Sequence, residues 1–457
     1  MIRTIVPSSY RDPSGFVFLK DGVLFRQINE HYKDNYELLM GSGLYQALVD
    51  DRLLIPHEEV SAPIGFSDHA YKIIKPEPIP FISYSYEWCF SQLKDAARIT
   101  LTIQKKALDF GMSLKDANAF NIQFLRGKPI LIDTLSFETY RRGRPWVAYR
   151  QFCEQFLAPL ALVSLTDGRL QRLSRLYPDG VPLDLTSALL PLKARFTPRL
   201  LTHLFLHAKS QIWFADKAVS RTRRGMNQRA LVGLIESLRA AVEGLTWHPS
   251  STQWIQYGQD SGYSTAAELH KKRLVKEFLG TRKRRLIWDL GANVGIFSRL
   301  AGKTSDLIVA IDGDPVSVEE HYLNSREEGE TNILPLVIDL TNPSPGIGWE
   351  GEEWLSLIER GPADVVLALA LVHHLAISHN VPLHYLARFF RRVTAELIIE
   401  FVPKEDLQVK KMLSRRDDIF PHYSEETFES EFKKYFRIRR RAEIRGSKRM
   451  MYLMQKK

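Results

Sequence analysis

In the C-terminal half of the chain, short apolar runs alternate with amphipathic stretches, and each run ends on a polar side chain. Leu286-Ile287-Trp288 stops at Asp289 and gives way to the turn Gly291-Ala292-Asn293-Val294-Gly295, after which Ile296-Phe297 opens an apolar helical period. Leu307-Ile308-Val309-Ala310-Ile311 stops at Asp312, with Asp314 close behind. The run 333–338 stops at Asp339, and the run 364–371 leads into His373-His374-Leu375. The stretch 395–402 reads as a fifth strand carrying Glu400, while 435–444 and 448–454 read as a final antiparallel pair. A helical period over 264–279 precedes the first strand. Strands separated by helices predict a doubly wound, Rossmann-like α/β sheet whose ligands sit outside the carboxyl ends of its strands.

The turn after the first strand carries its own chemistry. Gly291 and Gly295 have no Cβ, so the backbone can turn tightly and a ligand can approach its amides. Asn293 stands where a positive φ is needed, and Asn is the next best residue there after Gly. An acid at the end of the second strand, Asp312, suits the two hydroxyls of a ribose. A dinucleotide site uses the same elements with GxGxxG spacing. Here the loop is GxxxG with Asn at its centre, an acid before the first glycine and a further acid ending the third strand.

Together these features resemble the class I S-adenosylmethionine-dependent methyltransferases, a family in which a final antiparallel pair is usual. The resemblance implies that Asp289 and the Gly291, Asn293 and Gly295 backbone hold the methionine end of S-adenosylmethionine, Asp312 the ribose and Asp339 the adenine edge. His373, His374 and Glu400 are then the acceptor-side candidates, a histidine being suited to take a proton near neutrality. Tyr263 and Lys272 are candidates for the cofactor's entrance.

The N-terminal half reads as an α+β domain: a hairpin over 15–28 around Asp21-Gly22, a helix over 36–51 and a long helix over 88–110. Asp116, Asn121 after it, a Gly127-Lys128 turn and an apolar strand ending at Asp133 resemble the catalytic loop and metal-binding Asp of protein-kinase-like phosphotransferases. That resemblance implies a nucleotide site for ATP and magnesium at Asp116, Asn121 and Asp133. No GxGxxG precedes these residues, no VAIK-type lysine stands out, and Thr-Leu follows Asp133. The region 146–245 is mostly helical by periodicity, and 246–262, rich in Ser, Gln and Gly, reads as a linker. The expected organisation is a kinase-like or substrate-presenting domain over 1–245 and a methyltransferase domain over 263–457.

At 457 residues, two or three domains are expected. No apolar span of about 20 residues and no signal-like start is visible, so a soluble cytoplasmic bacterial protein is expected. Cys89 and Cys153 have no metal-ligand spacing, so no structural metal is expected. The net charge of +10 gathers in runs at 221–224, 271–273, 282–285 and 437–445. Such runs suit phosphates, although most charge runs are solvated faces, so a nucleic acid partner is the lesser expectation. The fourth apolar run ends as Ala368-Leu369-Ala370-Leu371 without the Asn or Asp before Pro-Pro that grips a planar amine in amine methyltransferases, which weighs against methylation of a base or glutamine nitrogen.

The stretches SLKDANAFNIQF, ILIDTLSFE, PWVAYRQFC and WDLGANVG are similar to those of NoeA-like, nodulation-related methyltransferase-domain proteins. This implies a small molecule, glycan or lipo-oligosaccharide as acceptor of the methyl group on O or N. A bifunctional kinase and methyltransferase, an RNA or protein methyltransferase and a non-catalytic scaffold are the alternatives. The sequence sets no oligomeric state.

Overall fold

A computed structural model of the protein describes residues 3–60, 69–206, 226–249, 264–414 and 417–457. The chain divides into two compact units, one of residues 1–249 with Gly348–Trp354, the other of the remainder from Ser250 on. The expected linker lies, from residue 250, outside the described residues, as do Tyr263 and the basic run 221–224.

The N-terminal unit is α+β. Strands β1 (Arg3–Ile5), β2 (Gly15–Lys20), β3 (Val23–Asn29), β4 (His57–Glu59) and β5 (Ala70–Pro76) form an antiparallel sheet ordered β1-β2-β3-β5-β4. The tight turn between β2 and β3 uses left-handed Asp21 and Gly22 (φ 51° and 80°), as expected for a two-residue hairpin. The helix expected over 36–51 is instead two, Lys33–Gly41 and Leu44–Asp50, because Gly43 turns left-handed at φ 84° and starts a new helix. The long helix Phe90–Asp109 buries Leu93, Ala97, Leu101 and Leu108, the spacing of one helical face. Short strands β6 (Met112–Leu114), β7 (Ile122–Leu125), β8 (Lys128–Leu131) and β9 (Phe137–Thr139) pair as β6-β9 and β7-β8. Within this unit, Arg11 grips Glu353 through two hydrogen bonds of 2.6 and 2.8 Å, and Trp354 stacks on Phe120 at 4.5 Å.

The second unit holds the seven-stranded sheet β12-β11-β10-β13-β14-β16-β15. Its members are β10 (Arg284–Leu290), β11 (Ser305–Asp312), β12 (Ile333–Val337), β13 (Ala363–Ala368), β14 (Thr394–Phe401), β15 (Phe436–Glu443) and β16 (Met450–Lys456). β10 through β14 run parallel, and β16 joins antiparallel to both β14 and β15. The central strands are buried on both faces, so they read as continuous apolar runs rather than alternating ones. One face packs Ile287, Val365, Leu367 and Ile398 against Leu274, Val275 and Phe278 of the helix Thr265–Leu279. Elsewhere in the unit, Phe428 of the helix Glu425–Lys433 sits among Phe401, Phe432 and Tyr452 at centroid distances of 5.0, 4.4 and 5.3 Å.

Strand order reverses beside β10, whose neighbours are β11 and β13. That is where a doubly wound, Rossmann-like sheet opens a crevice at its carboxyl edge. The register puts Leu290 level with Ile311 and Ala368, and Asp312 level with Val337, so several strand ends share one rim. Among the described residues no helix is long and apolar enough to cross a membrane.

The aromatic cluster pins the helix Glu425–Lys433 against β14 and β16. Phe428→Ala is expected to destabilise the second unit by about 3–5 kcal/mol, the range for deleting a buried aromatic ring. Urea unfolding followed by a probe in that unit reads this directly, and an unchanged midpoint would contradict the packing.

Candidate functional site

The rim of the parallel sheet encloses a cavity of about 390 Å³. Its walls include Asp289, Gly291, Asn293, Asp312 and Asp339, brought in from three strand ends and the glycine turn.

The turn has the backbone its sequence requires. Gly291, Asn293 and Gly295 have φ of 75°, 48° and 83°. Asn293 secures its left-handed conformation by accepting the Val294 N–H at 2.8 Å. The Gly291 and Ala292 N–H groups donate to the Ile311 carbonyl at 2.8 and 3.0 Å, lashing the turn to β11. At Gly295 a Cβ would lie 2.0 Å from His321 Nε2, so only glycine lets the helix Pro315–Glu327 pack against the turn. Burial keeps that histidine neutral, pushing its pKa down to about 3.

Two of the carboxylates carry a desolvation cost. Asp289 is 2% exposed and accepts a 2.6 Å hydrogen bond from Ser298 Oγ. Burial pushes it up to about 6 in spite of that bond. Asp312 is likewise pushed up to about 6 by burial, although it accepts the Asp314 and Asn293 N–H groups at 2.9 and 2.8 Å. Asp339 faces the same cavity and accepts both the N–H and the hydroxyl of Thr341. Asp314 has a separate task as the cap of the helix Pro315–Glu327, accepting from Ser317 N and Oγ at 3.2 and 2.7 Å.

The acceptor-side expectations divide. His374 is half-buried and lines the cavity, and burial pushes its pKa down to about 4. His373, whose ring lies 4.1 Å from that of His374, is fully buried and is not on the cavity wall. Glu400 is also fully buried. It accepts the Ala370 N–H at 3.0 Å and pairs with Lys271 at 2.7 Å and Arg449 at 3.4 Å. A carboxylate so engaged holds the wall together instead of meeting an acceptor. Ala370, which it grips, has φ 52°, a left-handed conformation that costs a residue with a Cβ and needs such an anchor.

Lys272, expected at the entrance, is not on the cavity wall but pairs at 2.6 Å with Glu268, which is, and its neighbour Lys271 lines the cavity as well. The signal for this lay in the helical period: Ala267, Lys271, Leu274 and Phe278 share the buried face, so the lysine there was already out of place. Arg449 and His379 also line the cavity and were not anticipated. Other members of the basic runs are paired, Arg284 with Glu396, Arg440 with Glu277 and Arg441 with Glu425.

In the N-terminal unit, Asp116, Asn121 and Asp133 do come together. Asn121 Nδ2 donates to Asp116 Oδ2 at 3.0 Å, and burial raises the Asp116 pKa. Both oxygens of Asp133 are engaged, Oδ1 by Arg26 at 2.7 Å and by the Leu135 N–H at 2.9 Å, Oδ2 by Ser136 Oγ at 2.6 Å. A magnesium ion needs carboxylate oxygens open to it, so this donor set does not fit the expected metal. The guanidinium already neutralises the acid that the kinase-like reading assigned to it.

No family model matches the sequence. Distant structural resemblances include the N-methyltransferase NodS from Bradyrhizobium japonicum WM9 in complex with S-adenosyl-l-homocysteine, at TM-score 0.33 and 9% identity over 45% of this chain and 99% of that one. A SAM dependent methyltransferase from Aquifex aeolicus gives TM-score 0.30 and 17% identity over 45% and 100%. The bifunctional kinase-methyltransferase WbdD gives 0.29 and 20% over 44% and 41%. In sequence the likeness is much stronger: the chain is 35% identical over 460 residues to the nodulation protein NoeA of Rhizobium meliloti (strain 1021), across 99% of this chain and 96% of that protein. With that identity sustained from one end to the other, the chain belongs to the NoeA family.

Proposed function

We propose that the second unit is an S-adenosylmethionine-dependent methyltransferase acting on an oxygen or nitrogen nucleophile of a small molecule or glycan. The observation that carries this reading is the convergence of Asp289, Asp312 and Asp339 with a left-handed Gly-Asn-Gly turn on one cavity of about 390 Å³. That volume lies within the roughly 300–1,000 Å³ typical of cofactor and ligand sites. The cradle fits the cofactor: two carboxylates with raised pKa await a cationic partner, and the glycine turn leaves its backbone open to close approach. Asp289 and the turn would hold the methionine end, Asp312 the ribose hydroxyls and Asp339 the adenine edge.

When bound, the cofactor supplies a methyl group on a sulfonium, open to direct displacement. The chain's contribution is mostly alignment and exclusion of water. His374 on the cavity wall is uncharged above about pH 4, so its ring can accept a hydrogen bond from an acceptor's hydroxyl or amine, while the same burial makes it a weak base near neutrality. The end of β13, Leu369-Ala370-Leu371, lacks the Asn or Asp before Pro-Pro that clamps a planar amine, which argues against methylation of a base or glutamine nitrogen. The family name NoeA agrees with an acceptor made during nodulation.

Native mass spectrometry of the purified protein is expected to reveal co-purifying S-adenosylmethionine or its demethylated product. A protein that neither retains nor takes up either molecule is not this enzyme. Asp312→Ala is expected to weaken S-adenosylhomocysteine binding by about 1–3 kcal/mol, as for hydrogen bonds lost to a buried charge. Calorimetry showing unchanged affinity would remove Asp312 from the ribose.

The raised carboxyl pKa values also set a pH dependence. Asp289 and Asp312 titrate near 6 in the fold against an ordinary value of 3.8. The native state therefore keeps protons that the unfolded chain has released. Their contribution to ligand-free stability is complete below pH 3.8 and is lost as pH rises through about 6. Cationic ligand binding runs the other way, because the carboxylates must be ionised. Affinity for S-adenosylmethionine is expected to rise between about pH 5 and 7, and a flat calorimetric profile would contradict that.

A further inference from the structure

The short 3-10 helix Leu192–Phe196 of the N-terminal unit, Leu-Lys-Ala-Arg-Phe, buries its smallest side chain and exposes its largest. At three residues per turn, positions three apart share a side. Leu192 therefore lies over Arg195 and Lys193 over Phe196, while Ala194 has the third side to itself. That third side faces the core: Ala194 is 2% exposed, against 70% for Leu192 and 86% for Phe196. Burying either large residue would remove more apolar surface from water than burying the alanine does. Each of them shares its side with a cation, however, so neither can turn inward without taking a charge along. The spacing thus keeps apolar and basic side chains outward together.

Single exposed apolar residues are ordinary on a protein surface. These have company. Leu206, 51% exposed, follows Phe205, whose ring lies 5.4 Å from the Arg195 guanidinium. Lys193, Arg195 and Arg199 are all exposed, and no Asp or Glu occurs from Leu185 to Leu206. Apolar tips interleaved with cations complement a bilayer of anionic lipid: the cations reach headgroup phosphates on long stems while the tips enter the acyl boundary. A protein partner needs about 800 Å² on each side, more than the side chains around one short turn provide. A second copy of this chain would set these cations against their own kind across a two-fold contact.

We propose that the face of the N-terminal unit bearing Leu192, Phe196 and Leu206 docks on an anionic lipid surface, with Lys193, Arg195 and Arg199 meeting the headgroups. The contact is peripheral, at headgroup depth, and does not depend on the chemistry of the second unit.

Flotation of the full chain with vesicles tests this. At about 150 mM salt, vesicles of phosphatidylglycerol and phosphatidylcholine in equal parts are expected to bind the protein at least about tenfold better than phosphatidylcholine alone. Leu192→Ser and Phe196→Ser are each expected to lower partitioning into the anionic vesicles about tenfold. Lys193→Gln combined with Arg199→Gln is expected to lower it about twentyfold, each cation near such a surface being worth about fivefold. Both serines replace exposed side chains, so the urea midpoint is expected to stay unchanged; a lowered midpoint would mean that the chain itself covers these residues and would overturn the docking face. Serine variants that partition as well as the unsubstituted chain would trace the binding to the protein's general positive charge, and an unsubstituted chain that does not float removes the proposal altogether. Sedimentation velocity is expected to give the same mass for the variants and the unsubstituted chain, whereas dimers lost on either serine substitution would assign the face to a second copy instead.

Discussion

Desolvation of carboxylates at the ends of parallel strands is the constraint around which the second unit is built. A parallel sheet covered on both faces must be apolar along its strands, so polar groups gather where the strands stop. Asp289 and Asp312 stop there under enough protein to raise both toward 6, and neither hydrogen bonds from Ser298 nor backbone N–H groups from Asn293 and Asp314 bring them back down. The fold carries that cost. Much else near the rim serves this arrangement: the left-handed turn at Asn293, the absence of a Cβ at Gly295 over His321, and the grip of Glu400 on Ala370.

A large part of this was legible from the chain. The strand ends at Asp289, Asp312 and Asp339 follow from apolar runs that stop abruptly, and the positive φ of Asn293 follows from an Asn between two glycines. Long-range pairing was not legible. Nothing local to Glu400 announces that a lysine on the helix Thr265–Leu279 and an arginine ahead of β16 will converge on it. His373 and His374 are adjacent in sequence, yet His374 faces the cavity and His373 packs inside, as neighbours about 100° apart around a helix do.

The N-terminal unit teaches the complementary lesson. Spacing brought Asp116, Asn121 and Asp133 together in space, as their order in the chain implied. What spacing does not report is the occupant of the last carboxylate. Arg26 enters from β3, far away in sequence, and its guanidinium lies against Asp133 with Asp12 on its other side at 3.1 Å. Three polar residues in proximity are thus a geometric fact with more than one chemical meaning, and the counter-ion decides among them.

Arg449 follows every other residue of the cavity wall in the chain, and it closes the ionic chain from Lys271 through Glu400 to Asp406. During synthesis the emerging polypeptide therefore has its glycine turn and its acids long before it has the cation that completes their enclosure. Until the closing hairpin leaves the ribosome and pairs β16 with β14, Glu400 has Lys271 beside it without Arg449. A chain still lacking β16 would thus carry an unfinished pocket wall.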